Sequence, residues 1–330
     1  PGKGIPSTFT SLLETFAGVW INAFIVCVLC IGWVKKKTLN SNEKILLLLG
    51  CSRFCSLCSS WIYGFLSNIY PNCLLVYSIF QILGGAYSFS NCCSLWVSAC
   101  LCVFYCIKIA NFRNSFFNYL KIKIDRMMPW LLLGSIIFSL IIGILVSNTI
   151  DKALCKNLTF TCQGRLWKAT IKIEEHFYAL FFVTGVLYTI SFMAVIFSAV
   201  LLLFSLWRHK RNMQANSMNS PSMEAHIRAM KSVLSFLVMY SINFVCLVLT
   251  ITYIMMNDNN MIALISIYLY AYPGVHSLIL IFSNPKLEKT LGSVLCDLLW
   301  AVSLSDSGQQ LWVNMLTPGT HQTWALMHKE

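Results

Sequence analysis

Carboxylates are scarce in this chain: twelve Asp and Glu in 330 residues, against twenty-four Lys and Arg. They stand at Glu14, Glu43, Asp125, Asp151, Glu174, Glu175, Glu224, Asp258, Glu288, Asp297, Asp306 and Glu330, and none lies in the middle of a long apolar run. Proton-coupled transport, intramembrane aspartyl proteolysis and cation-selective pores generally rely on buried acids, so their lack argues against all three. There is no G-x-S-x-G, no H-E-x-x-H and no Gly-rich phosphate loop, which leaves catalysis without a foothold and calls for no cofactor or metal. His276 and Ser277 are adjacent, but neighbouring helical residues point about 100° apart, so they read as packing or gating residues and not as a base with its nucleophile.

Apolar sequence is what the chain has in excess. Hydrophobic residues make up 57% and charged residues 11%, with a mean hydropathy of +0.69. Seven long apolar runs lie at 12–34, 45–66, 74–107, 128–147, 177–207, 230–256 and 261–283. Each exceeds the roughly 18 residues that cross about 30 Å of hydrocarbon as a helix. Lipid leaves no partner for bare peptide groups, so the runs are expected to be helices. The reading is an all-α membrane protein, a seven-helix bundle over 12–285 with no separate soluble domain.

The basic residues orient it. The first, third and fifth connections carry fourteen Lys and Arg (among them Lys35, Lys36, Lys37, Lys108, Arg208 and Lys210), whereas 147–176 carries five and 67–73 none. Short basic loops stay cytoplasmic, which places residues 1–11 outside and the carboxyl end inside. The net charge of +12 then lies along anionic inner-leaflet lipids, where a cytosolic partner can also dock, and nucleic acid is not called for. The one N-x-S/T sequon, Asn157-Leu158-Thr159, falls in the longest loop expected to face outward, a candidate glycosylation site. Most of the fifteen cysteines sit in or beside apolar runs, where free Cys packs as a small hydrophobe. Cys51, Cys55 and Cys58 form one helical stripe, read as a close-packing face. Cys155 and Cys162, in the outer loop, are either a local bridge or two thiols. The first run is long enough to span, which argues against a cleavable signal, and a chain starting at Pro1 is expected to lack its first residues.

Polar residues inside the runs are the informative ones. Ten Leu, Ile and Phe between 45 and 66 favour insertion by roughly 3–6 kcal/mol, while a central Arg costs about 2.5–3.5. Arg53 is therefore tolerated, and it should turn inward to polar partners such as Asn22. Tyr87, Asn91, Ser94 and Ser98 recur at helical spacing in the third run, as do Ser266, Tyr270, Pro273 and Ser277 in the seventh. Both stripes should face the interior. Tyr87 and Asn91 lie at a depth that suits an outward-open pocket, which Phe177, Tyr178, Tyr240 and Asn243 complete. Pro273 frees a carbonyl and allows a hinge. Residues 286–302 read as an amphipathic interfacial helix with Leu287, Leu291, Leu295, Leu298 and Leu299 on one side. Residues 303–330 read as a disordered cytoplasmic tail, and 212–224 as a flexible loop.

These features resemble one family, the type 2 (bitter) taste receptors. The resemblance rests on Asn22-x-Phe24-Ile25 and Trp33; on Glu43-Lys44-Ile45-Leu46-Leu47 with Ser52-Arg53; and above all on Leu101 through Phe112. Further matches are Glu224-Ala225-His226, Ala229-Met230-Lys231, Ser235-Phe236 through Tyr240, Tyr272-Pro273, His276-Ser277 and Asn284-Pro285-Lys286-Leu287. The resemblance covers about 12–290.

It implies a plasma-membrane G-protein-coupled receptor for bitter small molecules, acting through a gustducin-like heterotrimeric G protein. It implies a ligand site at Tyr87, Asn91, Tyr240 and Ser266, with Phe177 and Asn243 beside them. Tyr105, Lys108, His209 and Lys210 would face the G protein; Asn22, Arg53, Pro273, His276 and Ser277 would form the core that couples the two ends. Two departures stand out: many relatives carry Trp at the place of Tyr87 and a longer polar or acidic residue at that of Ser266. The family's tail also stops soon after Leu287, so the sequence beyond 303 has no counterpart. The rival readings are a vomeronasal type 1 pheromone receptor and a small-solute transporter or channel. The second finds neither paired repeats nor coupling acids here.

Overall fold

The structure, a computed structural model, describes residues 5–70, 77–110, 115–160, 175–215, 221–256, 259–297 and 300. Seven helices follow in chain order: α1 (Ile5–Lys36), α2 (Ser41–Ile69), α3 (Tyr77–Ile109), α4 (Ser115–Phe160), α5 (Glu175–Ala215), α6 (Pro221–Met256) and α7 (Asn259–Ser283). Six of them contain spans long and apolar enough to cross a membrane, and α6 shows a shorter apolar stretch, Leu237–Thr250. Their outer faces are covered with large apolar side chains such as Trp20, Trp130, Phe182 and Phe197. Helices hydrophobic all round are stable where lipid replaces water. This is a seven-helix multi-pass membrane bundle.

Neighbours in the sequence pack side by side, and α1 closes the ring against α7. α3 is the central strut, in contact with α2, α4 and α5; α3 and α2 bury 56% and 50% of their most apolar windows. Close approach depends on missing side chains. A Cβ on Gly274 would stand 3.1 Å from the Gly18 Cα, and one on Gly143 would stand 2.9 Å from the Phe89 Cβ. Those two contacts set the α1–α7 and α3–α4 spacings, the small-residue device of membrane helices.

Helix ends explain two sequence motifs. Glu43 Oε2 accepts from the Asn40 N–H at 3.2 Å, half of a capping box that opens α2. The compact unit that holds the bundle ends at Ser283, and a second begins at Asn284. There the Asn284 side chain accepts from the Lys286 N–H at 3.1 Å, and Pro285 takes the first position of a helix, α8, over 285–297. Asn as cap and Pro as first residue is the favoured order.

Several expectations change in detail. α1 begins at Ile5, so most of 1–11 is helical. α4 runs 46 residues to Phe160, about 69 Å at 1.5 Å each. It therefore outruns about 30 Å of hydrocarbon, and Asn157 lies on a helix and not in a loop. α5 and α6 reach to Ala215 and from Pro221, which shortens the expected 212–224 loop from both sides. Of the cysteine stripe, Cys55 is exposed and Cys51 and Cys58 are half-buried. The α1–α2 approach is made instead at Gly50, whose added Cβ would stand 3.1 Å from Val26. Residues 303–330, the side chains of Leu298 and Leu299, and those of Cys155 and Cys162 lie outside the described residues.

Candidate functional site

A single guanidinium organises the middle of the bundle. Arg53 is 1% exposed. Its Nε donates to Ser94 Oγ at 3.3 Å, one Nη to Ser277 Oγ at 3.0 Å, and the other to Ser98 Oγ at 3.3 Å and to His276 Nδ1. α2 is thereby tied to α3 and α7 at four points. A guanidinium presents five donors in a rigid fork, which is why it reaches both His276 and Ser277 although they diverge on their own helix. Asn22, expected as a direct partner, sits one bond further out. Its Oδ1 accepts from Ser277 Oγ at 2.8 Å, and its amide donates back to the Gly18 carbonyl at 2.8 Å. Ser277 is too short to span α7 to α1 alone, but Gly18 and Gly274 bring those helices close enough.

A cavity adjoins this hub, walled by residues of α2, α3, α5, α6 and α7. The α3 stripe of Tyr87, Asn91, Ser94 and Ser98 forms one wall; Tyr240, Asn243 and Leu247 of α6 form another. Ser56 and Ser60 come from α2, Tyr188 from α5, and Tyr270, Tyr272 and Pro273 from α7. Every described wall residue is neutral. The wall mixes rings with hydroxyls and amides, the composition of a site for small organic molecules. The space open to the centre of a water molecule is about 40 Å³, room for about three waters at 10–15 Å³ each. Drug-sized ligands occupy pockets of about 300 Å³ or more, so helices must shift to admit one.

Internal bonds hold the walls in place. Asn91 Nδ2 donates to Tyr188 Oη at 2.7 Å, linking α3 to α5. The Tyr240 and Ser191 hydroxyls are 2.7 Å apart, linking α6 to α5. Phe192 stacks on Phe244 at 4.1 Å, and the Tyr268 hydroxyl donates to the Met239 carbonyl at 3.3 Å. Behind Tyr240, small α3 residues (Ala99, Cys102, Cys106) meet Val195, Ala199 and Leu202 of α5 in a buried seam.

Of the seven residues expected around a ligand, four line the cavity: Tyr87, Asn91, Tyr240 and Asn243. Ser266 is half-buried one turn before Tyr270 and is not among the wall residues. Phe177 and Tyr178 belong to α5, but their side chains lie outside the described residues. Pro273 is within α7 and on the wall; lacking an N–H, it leaves the Leu269 carbonyl without its usual helical donor. Tyr188, Ser56 and Ser60 were not anticipated. The signal for Tyr188 was present: Tyr188, Ser191, Ser198 and Ser205 recur along one face of an otherwise apolar helix, and the three serines are buried.

At the other end of α3, Lys108 Nζ meets Asp125 Oδ2 at 2.5 Å. The pair joins the end of α3 to α4. His209 and Lys210 lie on α5, with side chains outside the described residues. Among the described residues, no group of three or more His, Cys, Asp or Glu is placed to hold a metal ion.

Comparison with known proteins identifies relatives along nearly the whole chain. The profile of the taste receptor protein (TAS2R) family matches residues 4–299. The human taste receptor type 2 member 9 is 35% identical over 285 residues, covering 84% of this chain and 88% of that protein. Taste receptor type 2 member 7 of Macaca mulatta is 34% identical, covering 89% and 92%. Taste receptor type 2 member 41 of Rattus norvegicus is 34% identical, covering 86% and 93%.

Proposed function

The chain belongs to the taste receptor type 2 family of G-protein-coupled receptors, and from that membership we propose a plasma-membrane receptor that detects bitter small molecules in the cavity between α3, α5, α6 and α7. It is a receptor and not an enzyme. The observation that carries the ligand site is the convergence of Tyr87, Asn91, Tyr188, Tyr240 and Asn243 on one neutral cavity. Neutral or weakly polar agonists suit such walls, since no carboxylate is there to anchor a cation.

Signalling follows from the cavity's small size. A ligand that fits only a widened cavity binds that arrangement more tightly and shifts the population toward it; equal affinity for both would shift nothing. Asn91–Tyr188 and Ser191–Tyr240 are the contacts that such widening would strain, and both lie on α5. At the cytoplasmic side the ends of α5 and α6 part, and a gustducin-like α subunit docks beside Tyr105, Lys108, His209 and Lys210. The amino end faces outward and the basic loops face the anionic inner leaflet.

Expression with a promiscuous G protein and a panel of bitter compounds tests this reading. A calcium rise to at least one compound, absent in cells without the receptor, is the expected result. Silence across the panel with receptor confirmed at the surface would overturn it.

A further inference from the structure

Arg53 poses a charge problem that its partners do not solve. It is buried, and among the described residues no Asp or Glu is. Ser94, Ser98, Ser277 and His276 satisfy four of the five guanidinium donors but bring no negative charge. Buried cations in membrane proteins normally pair with an anion, because an uncompensated charge loses its hydration without return. The sequence offers no acid at this depth.

The cavity comes within one side chain of the same place. Ser94 and Ser98 bond Arg53 and also line the cavity, whose wall Tyr240 and Tyr272 complete on the α6 and α7 sides; Arg53 itself stands behind the two serines and is not a wall residue. The hydroxyls of Ser94, Ser98 and these tyrosines are donors as well as acceptors. Its 40 Å³ admits a species of a few water volumes and excludes an organic anion of many atoms.

We propose that the Arg53 end of the cavity binds a small inorganic monovalent anion, chloride under ordinary conditions, which neutralises the guanidinium from the cavity side. The site is a floor of serine hydroxyls with the guanidinium directly behind it. It stabilises the contracted bundle and is emptied or compressed when the cavity rearranges around a ligand. It stands on charge balance alone and does not need the bitter-agonist reading.

The test uses the purified full chain in nanodiscs, without agonist, in sodium chloride, sodium bromide or sodium gluconate at equal ionic strength. Ligands that bind only the folded state raise its melting midpoint by mass action. Chloride and bromide are expected to raise the midpoint saturably by about 3 °C over gluconate, and replacing sodium with potassium should change nothing. Arg53→Gln should abolish the increment. If that variant does not fold, Ser98→Leu, which fills the floor, should abolish it instead, and bromide-competable broadening of the chloride-35 resonance should be seen with the unaltered protein. Equal midpoints in chloride and gluconate, an increment retained in both variants, or no broadening would each overturn the site. Because no agonist is involved, this outcome and that of the bitter panel can fail separately.

Discussion

Ser277 donates to Asn22 at 2.8 Å while accepting from Arg53 at 3.0 Å. One hydroxyl therefore joins α1, α2 and α7 in a directed chain. Ser277→Ala leaves two buried polar groups short of a bond at once, at about 1–3 kcal/mol for each group left unsatisfied. Surface expression and the thermal midpoint of the variant should both fall. Asn22→Leu combined with Ser277→Ala should cost less than the sum of the two, since both remove the same link; strict additivity would show that the chain is not a unit.

Asn91 and Tyr188 should act as a pair in ligand response. Asn91→Ala is expected to reduce agonist potency by roughly tenfold, about 1.4 kcal/mol, with surface expression intact. Tyr188→Phe, which removes the hydroxyl at 2.7 Å, should shift potency in the same assay. Unchanged potency in Asn91→Ala would remove that residue from the site.

Glycine positions should divide sharply. Gly143→Ala drives a Cβ to 2.9 Å from the Phe89 Cβ and 3.1 Å from the Gly85 carbonyl, overpacking that costs about 1–3 kcal/mol. Gly134 meets nothing within 4 Å, so Gly134→Ala should stabilise by up to about 1 kcal/mol. Thermal midpoints of the two variants in nanodiscs check the contrast, and equal shifts would contradict it.

The Lys108–Asp125 pair should matter little to stability. Its side chains are 35% and 51% exposed, and exposed pairs contribute about 0–1 kcal/mol. Asp125→Asn should therefore leave the midpoint nearly unchanged. If Lys108 meets the G protein, Lys108→Met should lower agonist-driven signalling more than Asp125→Asn does; equal losses would assign the residue to the ion pair alone.

Much of this was legible before any coordinates, for physical reasons that differ by residue. Runs of 20 or more apolar residues admit only helices in lipid, so the seven elements and their order follow from hydropathy. Arg53 had to point inward because hydrocarbon excludes its charge, yet its partners were half missed. Sequence could say that Asn22 is polar and nearby, but not that Ser277 stands between. Tyr87, Asn91, Tyr240 and Asn243 line the cavity as expected of polar residues on apolar helices, which mark the interior. Tyr188 escaped because its stripe of Ser191, Ser198 and Ser205 was read as part of an apolar run. Helix ends were the least legible: past the hydrocarbon edge nothing in the pattern stops α4 before Phe160, and Asn157 consequently moved from loop to helix.

The cavity as the place of ligand recognition is tested most directly by filling it. Leu247 is a half-buried wall residue on α6, whereas the Arg53 bonds go to α3 and α7, so Leu247→Trp places a large ring in the space while leaving the core bonds intact. Calcium responses of this variant, normalised to surface-labelled receptor, are predicted to vanish or fall at least tenfold for agonists that activate the unaltered chain. Undiminished responses from a receptor whose cavity is occupied by its own tryptophan would contradict the account.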